Sequence, residues 1–184
     1  MGVDQWASWR HNRRIRRANP LVGTGSSGVF KSTNDGATWT PSNSGLTNLS
    51  VSCLTASGPN LFAGTSGSGV FLSTNGGASW VAVDSGLTCS LIMALAISGK
   101  NIFAGTSNCG VFLSTNNGTS WKPVNSGLTD YEIQALVVSD TNLFAGPPRG
   151  VNLSTNFGRS WALTDSGKSF PALTSLVAES DTHN

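Results

Sequence analysis

One eight-residue phrase is written four times along the chain: STNDGATW at 32–39, STNGGASW at 73–80, STNNGTSW at 114–121 and STNFGRSW at 154–161. The copies stand about 41 residues apart. A unit that short cannot bury its apolar surface alone, so neighbouring units must stack and share a core. The period therefore limits the chain to a repeat architecture.

The second unit shows which one. VSCLTAS (51–57), LFAGTS (61–66), VFLST (70–74) and WVAVDSG (80–86) are short runs rich in Val, Leu, Phe and Trp, parted by GPN, GSG and NGGAS. The third unit repeats them as LIMALAIS, NIFAGTS, GVFLST and WKPVNSG, and the fourth as YEIQALVVS, NLFAGPP, GVNLST and WALTDSG. β-Branched and aromatic side chains suit a pleated surface, while Gly and Asn supply the turns between. Only 11% of the 184 residues are charged, against roughly 25% in an average soluble protein. Ser, Thr, Asn and Gly take their place, and no window carries a long 3.6-residue apolar rhythm. The reading is all-β: a β-propeller of four four-stranded blades.

The two ends bear on closure. The first unit opens at NPLVGTG, equivalent to the second strand of the others, and RHNRRIRRA stands where its first strand belongs. The tail PALTSLVAES (171–180) aligns instead with YEIQALVVS (131–139). The expectation is that the C-terminal strand completes the first blade, closing the ring and removing an open sheet edge. The same overhang also fits half of an eight-bladed ring made by a homodimer, or a fragment of a larger propeller. Residues 1–18 form a basic arm without structure of its own, 19–180 the propeller and 181–184 a tail.

Within the phrase, Gly36, Gly77, Gly118 and Gly158 occupy a turn position suited to positive φ. Asn34, Asn75, Asn116 and Asn156 suit an Asx-type turn, in which the side chain bonds nearby amides. Trp39, Trp80, Trp121 and Trp161 offer flat surfaces for packing between blades. The phrase resembles the Asp-box, S-x-D-x-G-x-[ST]-W, of the bacterial-neuraminidase-repeat family. That family includes sialidases, sortilin-type receptors, xyloglucan hydrolases and a photosystem assembly factor. The resemblance covers 19–180 with one uniform departure: the box aspartate is Asn in all four copies. It implies a propeller whose boxes are structural hairpins on the rim, away from any catalytic centre.

Sialidase chemistry needs three arginines around a carboxylate, a Tyr–Glu nucleophile pair and an Asp acid. Outside the arm only Arg149 and Arg159 remain, and Tyr131 and Glu132 point to opposite faces as strand neighbours. The set cannot be assembled. Other glycoside hydrolases need two carboxyl groups flanking one bond, and Asp130 with Glu132 is the best local pair. Asp84 and Asp165 share a repeat position with Asn43 and Asn125, which points to turn chemistry. Arg149, on the shortened loop PPRG, is the candidate specific binding contact of the body.

From residue 18 onward six basic and eight acidic side chains leave a net charge of about −2, so the body has no electrostatic footprint for nucleic acid. A nucleic-acid or anionic-membrane partner is open only to the arm, through Arg10, Arg13, Arg14, Arg16 and Arg17 with Trp6 and Trp9. Cys53, Cys89 and Cys109 do not recur in register and read as buried or free thiols rather than a disulfide framework. His11 and His183 lie at opposite ends with no companion ligands, so neither a metal nor a cofactor is expected. No run reaches the length of a membrane span, and the first 20 residues have no secretory apolar core. The residues point to a non-catalytic scaffold that holds a protein or glycan through ring-face loops. The alternative is a carbohydrate-active hydrolase or a remnant of one.

Overall fold

The computed structural model describes residues 19–164 and Leu176. Its regular structure is fifteen β-strands in four antiparallel sheets. The first sheet holds β1 (Leu21–Thr24), β2 (Gly28–Lys31) and β3 (Thr40–Pro41). The second holds β4 (Val51–Ser57), β5 (Asn60–Thr65), β6 (Val70–Ser73) and β7 (Val81–Ala82). In the third, β8 (Ile92–Ser98), β9 (Asn101–Thr106), β10 (Val111–Ser114) and β11 (Lys122–Pro123) follow the same order. The fourth is β12 (Ala135–Ser139), β13 (Asn142–Gly146), β14 (Asn152–Ser154) and β15 (Ala162–Leu163). Each sheet is a simple meander in chain order, the blade of a propeller. The assigned closing strand at 171–180, apart from Leu176, lies outside the described residues, as do the arm and the last four positions.

Two elements differ from the sequence expectation. The outermost strands pair over only two residues each, and in the first three sheets the chain leaves the ladder at the [DN]SG turn that follows. The innermost strand of the fourth sheet starts at Ala135 rather than Tyr131. Ile133 gives its N–H to Thr106 O of the third sheet at 2.9 Å, so the segment before β12 stitches two sheets together.

Every interface between consecutive sheets is a core. Val29, Val51, Ala63, Phe71 and Trp80 fill the first; Phe62, Ile92, Ile102, Phe112 and Trp121 the second; Phe103, Val111, Ile133, Leu143 and Trp161 the third. A middle sheet is thus buried on both faces, which explains why β5 and β9 read as continuous apolar runs, without the in–out alternation of a one-sided sheet. Gly105 in β9 shows how closely the sheets approach. A methyl group there would stand 2.7 Å from Ile133 Cγ2 and 3.2 Å from the Ile133 carbonyl. The same glycine recurs in the repeat at Gly64, beneath Ile92, and Gly23, beneath Val51.

Overfilling a packed interface of this kind costs about 1–3 kcal/mol. Gly105→Ala is therefore expected to lower the unfolding free energy by that amount, seen as a lower urea midpoint with an unchanged m-value in far-UV circular dichroism.

Candidate functional site

The four octapeptide turns are built alike. Ser32, Ser73, Ser114 and Ser154 each accept the N–H of the glycine four residues on, at 2.8–2.9 Å. Asn34, Asn75, Asn116 and Asn156 each accept, through Oδ1, the backbone N–H four residues on at 2.8–2.9 Å. Each also accepts from the serine hydroxyl at 2.9 Å. Their amide nitrogens donate to the hydroxyl of Thr38, Ser79, Ser120 or Ser160. Both ends of the amide are therefore occupied, and a carboxylate could not supply the second, donating half. Gly36, Gly77, Gly118 and Gly158 adopt φ between 81° and 89°, in the left-handed region that only glycine enters freely. The side chains of Ser32, Ser73, Ser114 and Ser154 and of Asn34, Asn75, Asn116 and Asn156 are thus engaged within their own turns.

The tryptophans that end the phrase reach backwards. Trp80, Trp121 and Trp161 are buried, and each indole N–H donates to a carbonyl of the preceding sheet: Ser42 O at 2.8 Å, Val83 O at 2.7 Å and Val124 O at 2.6 Å. Their backbone N–H groups donate to Ser44, Ser85 and Ser126 O, each at 2.8 Å. Trp39 differs: its side chain is 42% exposed.

The candidate carboxyl groups are committed within their own segment. Asp130 Oδ1 accepts the N–H of Glu132 at 3.1 Å, and Glu132 Oε1 accepts the Gln134 amide at 2.8 Å. Tyr131 is exposed and gives its carbonyl to the Gly110 N–H. Arg149 lies exposed on the loop between β13 and β14. Asn43 and Asn125 each hold the start of a strand: Asn43 accepts the Val29 N–H at 2.7 Å and Asn125 the Val111 N–H at 2.8 Å. Among the described residues no three His, Cys, Asp or Glu side chains gather at metal-binding distance.

The innermost strands line an open cavity of about 260 Å³. β4 contributes Ser52 and Cys53, β8 contributes Met93 and β12 contributes Leu136, with Gln134 just ahead of it and Leu176 from the tail. Leu176 holds the repeat position of Leu136 in the alignment of the tail with 131–139. Gln134 Oε1 is buried there with no hydrogen-bond partner among the described residues. Sequence reading did not single out Gln134, because a lone amide in an apolar run carries no motif.

Two of the cysteines correct the sequence expectation. Cys89 and Cys109 form a disulfide, with Cα atoms 6.2 Å apart. The odd count and 20-residue separation hid it. The loop before β8 and the loop between β9 and β10 come together only because β8 and β9 pair. Cys53 is the free thiol. Burial pushes its pKa up to about 11, with the hydrogen bonds from Ser52 and Gly64 opposing weakly, so it is a protonated, inert thiol at neutral pH.

No family model matches the chain, and no curated protein does. Solved structures do. An ancestral GH74 enzyme is 27% identical with a TM-score of 0.66, over 77% of this chain and 22% of its own. The computationally designed Ika8 protein is 14% identical with a TM-score of 0.65, over 86% of this chain and 49% of its own. YCF48 bound to D1 peptide is 15% identical with a TM-score of 0.55, over 78% of this chain and 49% of its own. The chain thus spans about a fifth of the GH74 enzyme and half of the other two. The fold is a β-propeller, one shared by enzymes and by a peptide-binding protein.

The thiol assignments give two expectations. Alkylation of unfolded protein labels one cysteine, Cys53, without reductant, and all three once reductant is added; mass spectrometry counts them. Because the folded Cys53 keeps its proton to higher pH than the unfolded thiol, its contribution to stability is complete below pH 9.0 and fades as pH rises towards about 11. Cys53→Ala is expected to flatten that part of the stability–pH curve.

Proposed function

We propose that the protein is a non-catalytic propeller scaffold that holds a peptide or protein segment at the ring centre and its adjoining loops. The observation that carries this reading is the open cavity between the innermost strands, with Met93 and Leu136 on its walls and, at Gln134 Oε1, a buried acceptor that no described residue bonds. An unpaired buried acceptor costs about 1–3 kcal/mol, which a ligand N–H would relieve. Extended peptides carry such donors at regular intervals, and YCF48 is a propeller of this fold bound to a peptide. Arg149, exposed on the fourth-unit loop, offers a charged contact for a ligand carboxylate or carbonyl.

The octapeptide residues serve this function as frame. Their hydrogen bonds are closed within each turn, so the loops and ring centre are left for recognition.

A second reading, a carbohydrate-active hydrolase using Asp130 and Glu132, draws on the 27% identity to the ancestral GH74 enzyme. Against it stands the engagement of both carboxyl groups by neighbouring donors in one loop. Hydrolysis also needs two carboxyl groups set on either side of the scissile bond.

Peptide and glycan arrays, run beside a panel of fluorogenic glycosides, separate the two. Peptide binding with no turnover is expected. Gln134→Leu and Arg149→Ala should each weaken the best peptide about tenfold, equivalent to about 1.4 kcal/mol, with the melting temperature held. Turnover abolished by Asp130→Asn or Glu132→Gln would overturn the scaffold reading.

A further inference from the structure

Because each sheet is a meander, its connections sort to two faces of the propeller. The octapeptide turns lie on one face, with the β8–β9 and β12–β13 turns. The β5–β6, β9–β10 and β13–β14 loops lie on the other, with the segments that lead into β4, β8 and β12. The charges of the described residues divide the same way. On the octapeptide face Lys31, Lys100, Lys122 and Arg159 outnumber Asp35 and Asp140. On the loop face the carboxylates Asp84, Asp130 and Glu132 outnumber Arg149.

Asp84 departs from the turn chemistry of its repeat position. Asn43 and Asn125 there accept the N–H that opens a strand and also donate, through Nδ2, to Ser27 O at 3.1 Å and Cys109 O at 2.9 Å. A carboxylate has no N–H to give the matching Ser68 carbonyl. Accordingly, a Cβ at Gly28 or Gly110 would meet the Asn43 or Asn125 Oδ1 first, whereas at Gly69 it would meet Asp84 Cβ first, with Oδ2 farther off at 3.2 Å. The Asp84 side chain is turned out and exposed. Asp130 and Glu132 are half-buried, and each spends one oxygen on its neighbour.

The same face exposes apolar side chains. Leu49, Leu91 and Tyr131 are 41%, 36% and 49% exposed, two or three residues ahead of Ser52, Met93 and Gln134 on the wall of the open cavity. Their backbones are fixed: Leu49 O accepts the Gly28 N–H at 2.8 Å, Leu91 O that of Ser107 at 3.2 Å and Tyr131 O that of Gly110 at 2.8 Å. A surface held this way loses little freedom when it is covered. The other exposed large hydrophobics belong to the first unit or to the outermost strands β7 and β15.

We propose that the loop face docks an extended cationic peptide segment carrying apolar residues between its arginines or lysines. The assignment rests on the peptide-scaffold reading and adds the charge and side-chain pattern of the ligand. Apolar side chains cover Leu49, Leu91 and Tyr131 at the cavity rim, and the long basic ones reach past them to the carboxylates. Asp84 lies between the second and third sheets and Asp130 with Glu132 between the third and fourth, so the cationic positions fall on either side of the third sheet. The same carboxylates repel nucleic acid and acidic peptides.

Fluorescence anisotropy of the full chain with three labelled peptides of equal length, built from Arg-Thr-Leu, Gln-Thr-Leu and Glu-Thr-Leu repeats, tests this. The arginine peptide is expected to bind about tenfold tighter than the glutamine peptide at low salt, the margin shrinking as salt rises, and the glutamate peptide not at all. Asp84→Asn, which restores the amide of the other turns, should weaken the arginine peptide about threefold and leave the glutamine peptide and the melting temperature unchanged. Tyr131→Ser should weaken both peptides, and Lys100→Gln on the octapeptide face neither. Equal binding of the arginine and glutamine peptides, or no effect of Asp84→Asn, would overturn the cationic assignment and leave the scaffold reading standing. A gain from Lys100→Gln as large as the loss from Asp84→Asn would trace the preference to net charge and overturn the assignment to this face. Binding of none of the three, with the peptide array also blank, would overturn both readings.

Discussion

The indole that crosses from one sheet to the sheet before it is the contact on which this architecture rests. Within a single blade the hydrogen bonds of a meander hold strands in plane but bury little apolar surface. Stability comes from stacking, and each stacking layer is locked by one tryptophan bonded through both its indole and its backbone N–H to the preceding sheet. The residue that donates these bonds is the last of the octapeptide, so a single local turn both closes the hairpin and sets the next blade's distance and tilt. A chain built this way is close to a one-dimensional array in which each unit depends on its neighbours. Its ends are consequently unlike its middle, as the contrast between Trp39 and the other three indoles shows.

Close approach of the sheets imposes the second constraint. β5 and β9 must be apolar on both faces and must carry a glycine where the next sheet's Ile92 or Ile133 descends. Buried polar groups in such a structure are paired almost throughout, Gln134 Oε1 being the exception among the described residues. The octapeptide achieves this with neutral side chains: serine hydroxyl to glycine amide, asparagine oxygen to backbone amide, asparagine nitrogen to hydroxyl. Fold and function are separable here, as in other propellers.

Much of this was legible in the residues. The period of the octapeptide specified repeating four-stranded units, because no other arrangement of runs this short buries them. Turn glycines and asparagines could be located by type, since each answers to a local backbone geometry. Trp80, Trp121 and Trp161 were recognisable as interface residues from size and recurrence alone. By contrast, the start of β12 at Ala135 was not, because Tyr131 to Gln134 alternate well enough for a strand and are diverted only by the Thr106 carbonyl of another sheet.

The sequence by itself determined the element type, the blade count and the turn chemistry, since these depend on side chains within about 41 residues of one another. Tertiary structure decided what depends on separate segments meeting in space. The Cys89–Cys109 bridge needed two loops to be brought together by paired strands. The committed state of Asp130 and Glu132, the orphaned oxygen of Gln134 and the elevated Cys53 pKa arise from burial and neighbours. The exposure of Trp39 is a matter of which sheet, if any, precedes it. Local pattern encodes each blade, but only packing shows that one of four similar words keeps its tryptophan exposed.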